Sequence, residues 1–214
     1  MSHARDERLA LCRLLTEVGP DAPTECAGWT ARDLAAHLVV RERRPDAAIG
    51  IVVPAAADYG ERIRTKTRDE TPYQRLVEMI VQGPPAWSPF ALPGADSAGN
   101  LVEYFVHHED VRRARPGWEP RELTPDLVRT LWNRLRMARL TLRRAPAGIR
   151  LHWADHDRPH GPELVVKQDQ PMVTVSGGPG ELLLWALGRT SVARVELDGE
   201  ESAIARLAAA NWGI

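Results

Sequence analysis

The sequence predicts an α+β protein: a helical bundle of four to five helices over residues 1–145, then a small α+β domain over residues 146–214. Three observations lead there. Before Pro146 the apolar residues recur at helical spacing, the mark of helices with one buried face. After Pro146 the period falls to two, and short alternating runs read as strands. No apolar run in either half approaches the roughly 20 residues needed to cross a bilayer.

Taken in order, Leu9, Leu11, Leu14, Leu15 and Val18 define a helix over Arg5–Val18, closed by Gly19-Pro20. Pro23–Trp29 is a loop. Thr30 with Asp33 three residues on has the capping-box pattern, opening a helix through Leu34, His37, Leu38 and Arg41 that Pro45 limits. Leu76, Val77 and Ile80 mark a helix from Thr71 to Gln82, and Gly83–Gly99, with four prolines, reads as a long loop. Asn100–Arg115 and Thr124–Arg144 are helices, the latter with Pro125 in its first turn. Ile149–Trp153, Glu163–Lys167, Met172–Val175 and Val192–Leu197 alternate as strands of a mainly antiparallel sheet. Gly180–Leu187 and Ser202–Asn211 are short helical segments.

Composition narrows the function classes. The 28 basic and 29 acidic side chains nearly cancel, leaving no basic patch of the kind that neutralises phosphates, so no nucleic-acid partner is expected. The opening MSHARDER is charged where a signal peptide needs its apolar stretch, and a cytoplasmic protein, monomeric or homodimeric and without a membrane partner, is the expectation. Of the basic residues only Lys66 and Lys167 are lysine, which fits a GC-rich coding sequence. Seven Trp against two Phe places some indoles at edges or clefts, where the N–H finds a partner. Cys12 and Cys26 make no metal or redox spacing.

The histidines carry the chemistry. Glu103 and His107 are four apart on one helix, so their side chains lie only about 40° apart around its axis and can converge. Asp110 falls on the same stripe, while Leu101, Val102, Tyr104 and Phe105 cover the rest, so the pair sits on a helix buried over most of its circumference. A buried carboxylate and imidazole need a compensating partner, and a metal ion is one. Two other readings stand beside it: Glu103 at the capping-box position after Asn100, or a plain i, i+4 ion pair. His37, at the edge of an apolar face, reads equally as a core histidine. Together, however, His37, Glu103 and His107 supply two imidazoles and a carboxylate from facing helices, the ligand set of open catalytic zinc sites. The same set suits Fe(II). His108 points about 100° away from His107 and reads as a supporting or structural residue. His152, His156 and His160 repeat every four residues, but Asp155-His-Asp-Arg-Pro159 marks a hairpin turn on which that spacing does not converge.

Gly28-Trp-Thr-Ala-Arg-Asp-Leu-Ala-Ala-His37-Leu, followed by Glu103-x-x-x-His107-x-x-Asp110, resembles the DinB-type superfamily. It is more closely similar to the actinobacterial branch related to mycothiol-dependent maleylpyruvate isomerase. Val173-Thr-Val-Ser-Gly-Gly-Pro-Gly-Glu-Leu-Leu-Leu-Trp-Ala-Leu-Gly-Arg189 and Val195-Glu-Leu-Asp-Gly199 resemble that family's C-terminal domain, so the likeness covers nearly the whole chain. The resemblance implies that His37, Glu103 and His107 bind a divalent metal, usually Zn²⁺, which holds the sulfur of a small thiol such as mycothiol as the reactive thiolate. It implies an arginine from the C-terminal domain in catalysis, here Arg189. Arg41, one turn after His37, is the candidate for an anionic substrate group, although Arg41 and Arg44 also read as a solvated helix face. The expected function is a metal-dependent, thiol-using transferase or isomerase with an electrophilic substrate. The alternatives are a non-catalytic binder of metal or thiol conjugate, and a metal-dependent hydrolase with Asp110 or Glu109 as base.

Overall fold

The computed structural model describes residues 2–47, 57–91, 99–154 and 160–210. By packing, the chain forms two compact units, residues 1–120 and 121–214. The segment from Thr124 to Arg144 therefore groups with the C-terminal sheet, whereas a division at 145/146 would assign it to the bundle.

In the first unit, α1 (His3–Val18) is capped by Ser2, whose hydroxyl accepts from the Arg5 amide, and stops at Gly19, whose φ of 81° suits glycine. In α2 (Ala31–Arg43) the capping box forms as its sequence requires: the Thr30 hydroxyl accepts from the Asp33 amide and the Asp33 carboxylate accepts from the Thr30 amide. Helix α3 (Ala57–Glu70) was not expected, and the reason is compositional: it is almost wholly polar, with Arg64 as its buried residue. The expected helices near residues 71–82 and 100–115 appear as α4 (Tyr73–Gln82) and α5 (Leu101–Arg113). Helix α1 lies along α5 and α4, and α2 packs against α3 and α4. Leu11, Leu15, Leu34, Leu38, Leu76 and Ile80 interlock in the core between them. Of the proline-rich stretch, Pro89–Ala91 forms one 3₁₀ turn, and residues 92–98 lie outside the described residues.

In the second unit, α6 (Pro125–Arg134) begins at Thr124 with proline in its first turn. It does not run on to Arg144. Residues 135–144 continue instead as short 3₁₀ and α turns, where the Thr141 hydroxyl lies 3.0 Å from the Ala138 carbonyl and 3.1 Å from that of Ala186. The four strands are β1 (Gly148–Trp153), β2 (Glu163–Lys167), β3 (Met172–Gly177) and β4 (Glu196–Asp198), in the sheet order β2-β1-β3-β4. The two outer pairings are antiparallel, but the central β1–β3 pair is parallel. Strand β4 is shorter than expected because the Val192 and Ala193 amides turn back to the Arg189 carbonyl. Of the connection between β1 and β2, residues 155–159, with His156, lie outside the described residues. Ile149, Leu151, Val173 and Val175 are buried with α7 (Pro179–Ala186) and α8 (Glu201–Ala209) packed on the sheet. Gly148 is obligatory: a Cβ there would sit 2.1 Å from the Asp169 carbonyl oxygen. Among the described residues no helix is long and apolar enough to cross a membrane.

Asp33 also joins α2 to α3. Its Oδ1 accepts from Arg64 at 2.7 Å and from Arg68 at 3.0 Å. Burial pushes this carboxyl up, but the hydrogen bonds from Arg64, Thr30 and Arg68 prevail and hold it well below the usual carboxylate range. A group whose folded value is depressed stabilises the fold above its unfolded value, near pH 4, and loses that contribution as pH falls. Asp33→Asn should therefore cost about 1–3 kcal/mol at pH 7. Urea unfolding at pH 7 and at pH 3 checks this, and the gap between wild type and variant should narrow at the lower pH.

Candidate metal centre

Helices α2 and α5 bring His37, Glu103 and His107 together. Glu103 Oε1 lies 3.0 Å from His37 Nε2 and 3.3 Å from His107 Nε2. The two imidazole rings meet edge to face, with centroids 5.2 Å apart. All three donor atoms lie within 4.8 Å of one another. The capping-box alternative for Glu103 does not form: the Asn100 side chain makes no cap bond to the helix, and Glu103 faces α2 instead.

A divalent ion fits this arrangement on two counts. Metal–ligand bonds of about 2.0–2.2 Å in a tetrahedron put neighbouring donors roughly 3.4 Å apart, close to the 3.0 and 3.3 Å that separate Glu103 Oε1 from the two imidazoles. The donor set, two imidazole nitrogens and a carboxylate oxygen, suits zinc with one position left open.

The electrostatics favour a cation. Burial pushes the Glu103 carboxyl up, yet Arg41 and the hydrogen bonds from His107 and His37 outweigh it and hold the carboxyl well below its usual range. Burial keeps the His37 imidazole below its ordinary value against the pull of Glu103. For His107 burial also disfavours the charged ring, but Asp110, Cys26 and Glu103 together raise it well above its ordinary value. A metal taking these positions therefore displaces a proton from His107.

The surroundings hold the donors in place. Asp110 Oδ2 lies 2.8 Å from His107 Nδ1, which turns Nε2 toward Glu103 in the carboxylate–histidine arrangement common behind metal ligands. Cys26 Sγ donates to the same oxygen at 3.2 Å. Sequence spacing gave Cys26 no role; the loop that carries it is tied to α5 by the Glu25 amide bonding to the Asp110 carbonyl. Cys26, His107 and Asp110 form a second group of metal-competent donors on the far side of the His107 ring.

Arg41 does not lie on a solvated face. It is 8% exposed, with Nε 3.4 Å from Glu103, Nη1 donating to Asn100 Oδ1 at 2.7 Å, and its guanidinium over the Phe90 ring at 4.2 Å. Arg44 is the solvated one, paired with Asp46. His108 is structural: its Nδ1 meets Glu7 of α1 at 2.9 Å. Glu109 is bound by Arg112 and Arg113. His152 lies on β1 beside Ser176. Arg189 belongs to the second unit, where it follows α7 and donates through Nη1 to the Leu187 carbonyl at 2.7 Å.

With this geometry in view, the comparisons with known proteins are direct. Residues 1–112 match the family model of the mycothiol maleylpyruvate isomerase N-terminal domain, and the chain belongs to that family. A crystal structure of the mycothiol-dependent maleylpyruvate isomerase is 21% identical, with a TM-score of 0.56 over 92% of this chain and 91% of that one. The structure of a histidine-to-alanine mutant of that enzyme matches at 20% identity with the same TM-score and coverage. At these identities the likeness is one of fold, and it extends through both units. No curated protein sequence matches the chain.

Asp110→Asn keeps the shape but removes the charge behind His107. It should weaken Zn²⁺ binding about 10- to 100-fold, measured by chelator competition, and should also lower metal-free thermal stability, because the buried His107 loses its charged partner.

Proposed function

We propose that this protein is a metal-dependent enzyme that uses a small thiol of the mycothiol type, either to transfer it to an electrophilic substrate or to isomerise that substrate. The observation that carries the reading is the convergence of His37, Glu103 and His107, with donor atoms within 4.8 Å of one another, in a chain of the mycothiol maleylpyruvate isomerase family. In this reading the three side chains are the ligands of one divalent ion, zinc by preference. When bound, such an ion supplies a thiol as its thiolate at neutral pH.

The chain's own residues do the rest. Glu103 brings the single negative charge, so the fourth position remains attractive to an anionic sulfur. Arg41 holds the Glu103 carboxylate, and its Nη2 makes no hydrogen bond among the described residues, which leaves a donor for a substrate carboxylate. Arg189 is assigned to substrate activation on the family resemblance. The hydrolytic alternative loses support, because its candidate bases are engaged: Asp110 by His107 and Cys26, Glu109 by two arginines.

Maleylpyruvate, the substrate in the relative's name, is the first electrophile to try, with mycothiol as the thiol. His37→Ala should abolish zinc binding and thiol-dependent turnover together. Arg189→Ala should keep zinc and lower kcat/KM on the order of a hundredfold. Turnover that needs no thiol would return the reading to hydrolysis. Tight thiol binding without turnover of any electrophile would make the protein a binder.

A further inference from the structure

The two imidazoles of the centre are fixed by different means. His107 is oriented from behind, through Nδ1 and Asp110 at 2.8 Å. His37 has no such hydrogen bond among the described residues; its polar contact is Nε2 to Glu103 at 3.0 Å. A ring on two rotatable bonds that is held at one atom can still pivot about that atom. Histidines that bind metals usually have a second partner to stop this.

Besides the His107 ring, Trp29 lies against His37. The ring centroids are 5.2 Å apart and the planes are inclined by 50°. The indole is clamped in turn, with the Arg64 guanidinium 4.7 Å from its centroid. Arg64 is 7% exposed and cannot wander: Nη1 donates to Asp33 at 2.7 Å, and Nε and Nη2 donate to Glu61. Asp33 is itself locked in the capping box of α2. The column Asp33–Arg64–Trp29–His37 thus leaves α2 at its first turn, passes through a side chain of α3, and returns to α2 one turn later, at His37.

We propose that Trp29 is a positioning residue for His37. Through this tilted ring contact, its clamped indole gives His37 the fixed orientation that Asp110 gives His107 by hydrogen bonding, and so sets the affinity of the centre for a divalent cation. The inference rests on the reading of His37 as a ligand. It differs from a space-filling role in what it demands of the side chain: filling space needs apolar volume, whereas orienting a ring through a ring-to-ring contact needs another flat ring.

The test uses the full chain and zinc alone, with affinity read by competition against a chromophoric chelator and folding by melting of the metal-free protein. Trp29→Leu should weaken zinc binding about tenfold, and Trp29→Phe should stay within about threefold of wild type. The metal-free melting temperatures of the two variants should agree. Should Trp29→Leu fail to fold, Trp29→Met and Trp29→Tyr replace the pair, the first losing affinity and the second keeping it. Co²⁺ should also quench tryptophan emission at one equivalent in the wild type, and Trp29→Phe should lose that quenching. Equal zinc affinity in the aromatic and aliphatic variants overturns the role of Trp29. A wild type that binds no zinc, or a His37→Ala protein that binds it as tightly, overturns the ligand reading beneath it.

Discussion

A carboxylate held three-quarters out of water between two helices survives only if positive charge and hydrogen-bond donors surround it. Glu103 is that group, with 24% of its side chain exposed. His37, His107 and Arg41 meet it through Nε2, Nε2 and Nε, all at the same oxygen. Each of these three has its own support: Trp29 beside His37, Asp110 behind His107, and Asn100 with Phe90 around Arg41. The first unit is in this sense a frame for one buried anion. The frame concentrates donors on one point, the point at which the proposed reading would place a divalent cation.

The fold supplies this from local physics. The capping box starts α2 at Ala31, and nearly two turns of helix set His37 opposite α5. On α5, the i, i+4 relation aligns Glu103 and His107, and Asp110 follows one turn below. The remaining faces of both helices are packed, with apolar residues and with ion pairs of their own such as His108 with Glu7 and Glu109 with Arg113. The family match covers this frame, and the solved relatives extend the likeness of fold into the sheet-bearing unit.

Much of this was legible in the sequence, because it depends on short-range spacing. Helical period, the Thr30–Asp33 box and the Glu103–His107 pair are all set within a few residues. The parts that were not legible depend on contacts between distant segments. Helix α3 has no apolar stripe to announce it, since it is held by Arg64 and Arg68 reaching Asp33. Cys26 and Asp110 stand 84 residues apart in the chain, and neither spacing nor composition links them. Arg41 read equally as an anion-binding residue and as part of a solvated face, and only the positions of Asn100 and Phe90 remove the second reading. The break after Arg134 and the late start of β4 likewise arise from hydrogen bonds that no periodicity encodes. The parallel pairing of β1 with β3 is another long-range choice.

The central claim is that these three side chains form one metal centre that takes up a thiol. X-ray absorption at the zinc edge of the reconstituted protein tests it most directly. The account predicts two imidazole nitrogens and one carboxylate oxygen at about 2.0–2.2 Å, and a sulfur neighbour at about 2.3 Å once mycothiol is added. A first shell without imidazole scattering, or one that stays unchanged when the thiol is present, would contradict it.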